Sequence, residues 1–141
     1  MKRIRFIILL SAMAVAMAVP VVAKATGNTG STSSVYIQDR ADYDFIGTNL
    51  DVGLLVTCRD STGFGTVNVT VNQYPPATPY PFGAGSGPQS VVCDGRTHSV
   101  AVTIIGAGFD AGPAKATAAL TTPTNSKGNK TVTKWITIVH V

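Results

Sequence analysis

Few side chains in this sequence can do acid–base or metal chemistry. The histidines are His98 and His140, the thiols are Cys58 and Cys93, and every carboxylate is an aspartate: Asp39, Asp42, Asp44, Asp51, Asp60, Asp94 and Asp110. A catalytic site needs a nucleophile or base, a group that orients it and a stabiliser for the charge that develops, all converging on one point. His98 stands at the start of an apolar alternation and His140 one residue from the end, so nothing in the pattern brings them together. In the run Gly-Ala-Gly-Ser-Gly at 83–87, Ser86 falls one place late for the G-x-S-x-G turn that exposes a nucleophilic serine. Gly106-Ala107-Gly108 precedes a strand-like stretch instead of the helix that a dinucleotide loop opens. The aspartates stand mostly among turn residues, where their short side chains are used for local hydrogen bonds and not as a glycosidase pair. The expectation is a protein that is not an enzyme and holds no cofactor.

Metal binding is the sharper alternative. Asp39, Asp42 and Asp44 lie close together, and in a sandwich their connection would share an end with the loop carrying Asp110. Hard oxygen ligands on adjacent loops suit calcium, although the spacing is not that of an EF-hand. A second candidate site is aromatic. Tyr74, Tyr80 and Phe82 belong to a proline-stiffened stretch from Tyr74 to Pro88, and Phe109 lies in a glycine-rich loop. Rings on stiff loops lose little entropy on contact and make good anchors; the competing use is to fold back and cap the open end of the core.

These residues need a scaffold, and the N-terminus says where it works. Lys2, Arg3 and Arg5 precede an apolar run from Phe6 to Val19, then Pro20 and the A-x-A shape Ala23-Lys24-Ala25. That order marks residues 1–25 as a cleaved secretory signal. With it go four basic residues, so the seven that remain balance the seven acids. The strongly basic character of the whole chain belongs to export. A mature chain of zero net charge has no electrostatic footprint for nucleic acid, and after cleavage it has no membrane segment. Outside the reducing cytoplasm, Cys58 and Cys93 are expected to form one disulfide, which stabilises by roughly 3 to 4 kcal/mol in the chain-entropy picture.

Residues 26–33 are a polar Gly/Ser/Thr leader, and the domain runs from 34 to 141. Alternation at period two predicts strands at 34–38, 48–58, 65–72, 90–93, 97–105, 114–121 and 131–141. Val35 and Ile37, then Leu50, Val52, Leu54, Val56 and Cys58, then Val67, Val69 and Val71, should face the core. So should Val100, Val102 and Ile104. Ala114, Ala116, Ala118 and Leu120 give a small-residue face that lets layers approach. The last strand is ambiguous, because Ile136 and Ile138 share parity with Lys134 and His140. Asp94-Gly95 reads as a hairpin turn. About seven short strands without helical periodicity predict an all-β domain, an immunoglobulin-like antiparallel β-sandwich, with a small barrel as the main alternative. In that order Cys58 and Cys93 leave their strands at one end, so the disulfide staples a pole without joining the layers through the core.

The stretch Val91-Val92-Cys93-Asp94-Gly95-Arg96-Thr97-His98, followed by Phe109-Asp110-Ala111-Gly112-Pro113-Ala114, resembles a group of small secreted actinobacterial β-sandwich proteins. They share the C-D-G-x-x-H segment after a glycine-rich stretch and F-x-x-G-x-A opening the next strand. The likeness covers roughly 50–120 and implies fold and location without an activity. The chain is also similar to neocarzinostatin-type apoproteins in mature size, secretion and Gly/Ala/Thr/Val-rich composition. The functional expectation is a secreted or cell-envelope, non-enzymatic domain with a binding or structural role and an extracellular partner of unknown identity. The alternatives are a carrier of a small apolar ligand and a calcium-dependent adhesion module.

Overall fold

The structure is a computed structural model that describes residues 33–44, 49–74 and 83–141. The expected signal at 1–25, most of the expected leader at 26–33, Tyr80 and Phe82 lie outside the described residues. The rest is all-β: β1 Ser34–Tyr43, β2 Asn49–Gln73, β3 Gly83–Ala107, β4 Gly112–Thr121 and β5 Lys130–His140, with a single 3-10 turn at Ser126–Gly128.

Two of these strands are much longer than expected, and their pairing explains why. Residues 49–57 of β2 pair antiparallel with 97–105 of β3, and 64–73 of β2 pair with 83–92 of β3. The pair is thus one long ribbon, bent where the register shifts between Thr57 and Phe64. The first half of β2 also pairs with β1, and the second half with β4, which pairs with β5. β5 then returns to β1 in parallel, Arg40 opposite Thr137 through Tyr43 opposite His140. A register shift between Ile37 and Ala41 lets β1 serve both neighbours.

The expected boundaries change accordingly. The seven separate strands become five continuous ones, because β2 and β3 each bend without breaking. β1 runs past 38, so Asp39 and Asp42 stand on a strand and not on a connecting loop. Asp94-Gly95 is not a hairpin: the segments on either side of it pair with β2 rather than with each other. Gly95 takes φ 85° there, the left-handed conformation that the bend demands and glycine supplies cheaply. Gly83–Pro88, expected as loop, is strand, and Pro88 is tolerated because this half of β3 is laddered on one side only.

Period two then builds the core. Leu50, Val52, Leu54 and Val56 from one half of β2 and Val67, Val69 and Val71 from the other are buried in a single cluster with Val102, Ile104 and Leu120. Each such aliphatic side chain contributes about 1.5–3 kcal/mol on burial. Ala114, Ala116 and Ala118 face inward as expected, and β5 resolves its ambiguity by burying Ile136 and Ile138. Lys134 and His140, on the same parity, are half-buried.

Glycine spacing closes the remaining side. Gly83, Gly85 and Gly87 alternate along β3; Gly85 and Gly87 turn toward the far half of the same strand, and Gly83 toward Gly108 and Phe109 just beyond it. A Cβ on Gly85 would meet the Ile105 carbonyl oxygen at 2.7 Å, and one on Gly87 would meet that of Thr103 at 2.1 Å. Both obstacles are backbone, which cannot swing aside. Gly87→Ala is therefore expected to destabilise the domain by about 1–3 kcal/mol through overpacking. Ser86→Ala, one residue away and facing out, should lie within about 0.5 kcal/mol of the parent in urea unfolding.

Candidate functional site

The two ends of the ladder are held by different chemistry. At the bend, β2 and β3 lie side by side and Cys58 is bonded to Cys93 across them, with Cα atoms 4.5 Å apart. The bridge staples one end of the ribbon. Beside it Asp60 is 8% exposed and accepts four hydrogen bonds: from the N–H and hydroxyl of Thr62, and from the N–H (3.0 Å) and hydroxyl (2.8 Å) of Thr124. The Thr62 hydroxyl, with the other three donors behind it, outweighs burial and holds the Asp60 carboxyl far below the ordinary carboxylate range. Asp60 thereby ties the bend to the turn that follows β4. That turn is braced internally, since the Thr122 N–H donates to Asn129 Oδ1 at 3.0 Å and the Thr122 hydroxyl donates to the Asn125 carbonyl.

His98 and Asp94 belong to the same end. Asp94 Oδ1 lies 2.8 Å from His98 Nε2 and accepts the Arg96 N–H at 2.8 Å. These contacts, the histidine's first, lower the Asp94 carboxyl. The pair braces the bend at Gly95.

At the opposite end a buried amide does the corresponding work. Gln73 is 2% exposed; its Nε2 donates to the carbonyls of Asp110 (2.8 Å) and Pro113 (3.3 Å), and its Oε1 accepts the Asp110 N–H at 2.9 Å. The loop between β3 and β4 is thus fixed from within. Phe109 from this loop is 6% exposed, packs edge-on to Tyr43 with centroids 6.2 Å apart, and fills the space that a side chain on Gly83 would need. His140 also packs edge-on to Tyr43, with centroids 5.2 Å apart, and stands 3.5 Å from Asp110 Oδ1.

A third tie crosses from β5 to the irregular part of β1. The Lys134 ammonium pairs with Asp39, donates to the Ile37 carbonyl at 2.9 Å and to the Tyr36 hydroxyl, and lies 4.2 Å from the Tyr36 ring centre. Asp39 first, then the Tyr36 hydroxyl, raises the Lys134 pKa. The amine is therefore held as a cation and works as a strand clamp.

Against the sequence-derived candidates, Cys58 and Cys93 come together as expected. Of the aromatics, Phe109 caps the core and does not stand out as an anchor; Tyr74 is half-buried just after β2. The acids proposed for calcium have separate partners. Asp39 is with Lys134, Asp42 is 2.6 Å from Arg40 Nε, and Asp110 is with His140 and the Ala111 N–H. Asp44 donates its backbone N–H to the Asn49 carbonyl. Among the described residues no three metal-ligating side chains converge. The structural hubs Asp60, Gln73 and Lys134 were not singled out by sequence. Asp60-x-Thr62 is legible as an aspartate turn, but Thr124 lies 64 residues further on.

These features define a class: an all-β domain whose bent ribbon is stapled at one end by a disulfide. Among solved structures, the chain is similar to the crystal structure of calcium binding domain CBD12 of CALX1.1, with a TM-score of 0.38 and 12% identity. The likeness covers 76% of this chain and 45% of that one, so this chain spans less than half its length. No protein-family profile and no curated protein matches the chain.

Proposed function

We propose that this chain is a secreted or cell-envelope domain with an immunoglobulin-like sandwich and a binding or structural role, and that it is not an enzyme. One observation carries the reading: polar groups that could do chemistry are engaged in contacts that tie strands and turns together. Asp60 ties the bend to the turn after β4, Asp94 and His98 brace Gly95, Gln73 and Asp110 fix the loop after β3, and Asp51 accepts the Thr103 hydroxyl at 2.8 Å. Groups engaged in this way serve the scaffold, which favours a role in presenting surfaces. The sandwich reading is supported by the bent β2–β3 ribbon, whose two halves touch where Gly85 and Gly87 meet the backbone of Ile105 and Thr103. A disulfide suits an oxidising compartment, and the A-x-A shape before residue 26 supports export.

The test is expression of the full chain with its own leader in a Gram-positive host, followed by fractionation and intact mass measurement. The expected product begins after Ala25, lies outside the membrane fraction and is two hydrogen masses lighter than its reduced form. Recovery of a chain beginning at Met1 in the membrane, or of two free thiols in the native product, would overturn the reading.

A further inference from the structure

Among the described residues, one face of the ladder turns its side chains away from the core. It is formed by the outward side chains of the second half of β2, the first half of β3, β4 and β5. Register sets these in cross-strand rows. Trp135 stands opposite Lys115, Lys115 opposite Asn72 and Asn72 opposite Ala84. The next row is Thr133, Thr117, Thr70 and Ser86, with the Thr117 and Thr133 hydroxyl oxygens 3.1 Å apart. Asn68 with Ala119, and Thr66 with Thr121, continue the pattern toward Phe64 and Val92 at the far end. Trp135 is 61% exposed and Phe64 58%. From Asn72 to Phe64 the strand extends about 26 Å, and neighbouring strands stand about 4.8 Å apart.

We propose that this face binds a neutral, hydroxyl-rich polysaccharide, with one sugar ring stacked on Trp135 and its neighbours lying across the Thr/Asn/Ser rows. This deepens the reading of the chain as an extracellular binding domain and rests on it. The charge pattern selects the occupant. Among the described residues Lys115 is the single ionised side chain on the face, too few for a polyanion, whose binding needs several cations that displace its counterions. The described residues of the face include no carboxylate for a basic partner. Its short hydroxyl and amide side chains are poor anchors for a protein, whose interface cores favour large aromatic residues, Met and Arg and disfavour Ser, Ala and Lys. They match a sugar instead: hydroxyls and amides both donate and accept, as sugar hydroxyls do, and short side chains lose little entropy when held. A sugar ring also has an apolar C–H face, for which the uncovered indole is the complement.

Trp135 is the only tryptophan in the chain, so intrinsic fluorescence reads the site directly. The experiment titrates oxidised protein lacking residues 1–25 with cellohexaose, chitohexaose and maltohexaose, and with heparin as the polyanion. At least one neutral hexasaccharide is expected to shift the emission saturably, with little salt dependence. Trp135→Ala, followed by calorimetry, should weaken that binding roughly tenfold or more while leaving Tm nearly unchanged, because the ring is exposed. Asn72→Ala, in the same row, should weaken it less. If no neutral hexasaccharide binds at millimolar concentration, if only heparin binds, or if Trp135→Ala binds as well as the parent, the proposal is wrong. Because the protein is assayed directly, failure of the export experiment does not alter these outcomes.

Discussion

Replacing both cysteines, Cys58→Ser with Cys93→Ser, is expected to lower Tm by roughly 10–20 °C while the native strand content survives at low temperature. The bridge closes a loop with a sequence separation of 35. In the chain-entropy model this restricts the unfolded ensemble by about 4 kcal/mol, and a domain of this size shifts by a few degrees per kcal/mol. The position of the bridge makes the consequence specific. It joins the two strands of one ribbon at the bend, with Gly65 packed against Cys93 Sγ. Thermal melts of oxidised, reduced and doubly replaced protein should give one high and two similar low midpoints. Urea unfolding should show a larger slope for the variants, since their unfolded chains expose more surface. A double variant that melts with the oxidised parent would mean that the bend is held by its polar contacts alone.

How much of this arrangement can be read from the sequence depends on the range over which each residue acts. Period-two burial is local, and the inward faces of β2, β4 and the second half of β3 follow from the order of Val, Leu and Ala alone. The bends do not. Asp94-Gly95 carries the chemistry of a tight turn, but whether the flanking segments pair with each other or with a third strand is settled by what β2 offers on both its halves. Gly83, Gly85 and Gly87 read as loop because glycine is a poor strand former. In the structure the same absence of a side chain lets two halves of β3 touch, a reason visible only once Thr103 and Ile105 are known to be opposite. The candidate site follows the same rule. The disulfide was legible because its chemistry admits one pairing. Gln73 was not, because its two partners lie 37 and 40 residues away on a loop that it organises. Phe109 was legible as important, and which way it faced depended on the space left by Gly83.

The second large effect is expected at Asp60. Asp60→Ala removes the acceptor for two backbone N–H groups and two hydroxyls at a position almost closed to water, and leaves the Thr124 N–H without its partner. A drop of several degrees in Tm should follow, together with faster amide exchange at Thr62 and Thr124. Asp60→Asn, with one acceptor oxygen and an NH2 that must face donors, should recover little of it. The pH dependence distinguishes a charge effect from lost shape. The folded protein holds the carboxyl far below its unfolded value of about 3.9, so the unfolded chain takes up the proton first. This contribution to stability is therefore complete above that value and is lost progressively as the pH falls below it. In the parent, Tm should be level from neutral pH down to about pH 5 and then decline. In Asp60→Asn the decline should be shallower, with a remainder from Asp94, whose carboxyl is lowered in the same direction. Parallel acid limbs for parent and Asp60→Asn would show that Asp60 acts as a neutral spacer between the bend and the turn after β4, and that the four hydrogen bonds do not favour its charge.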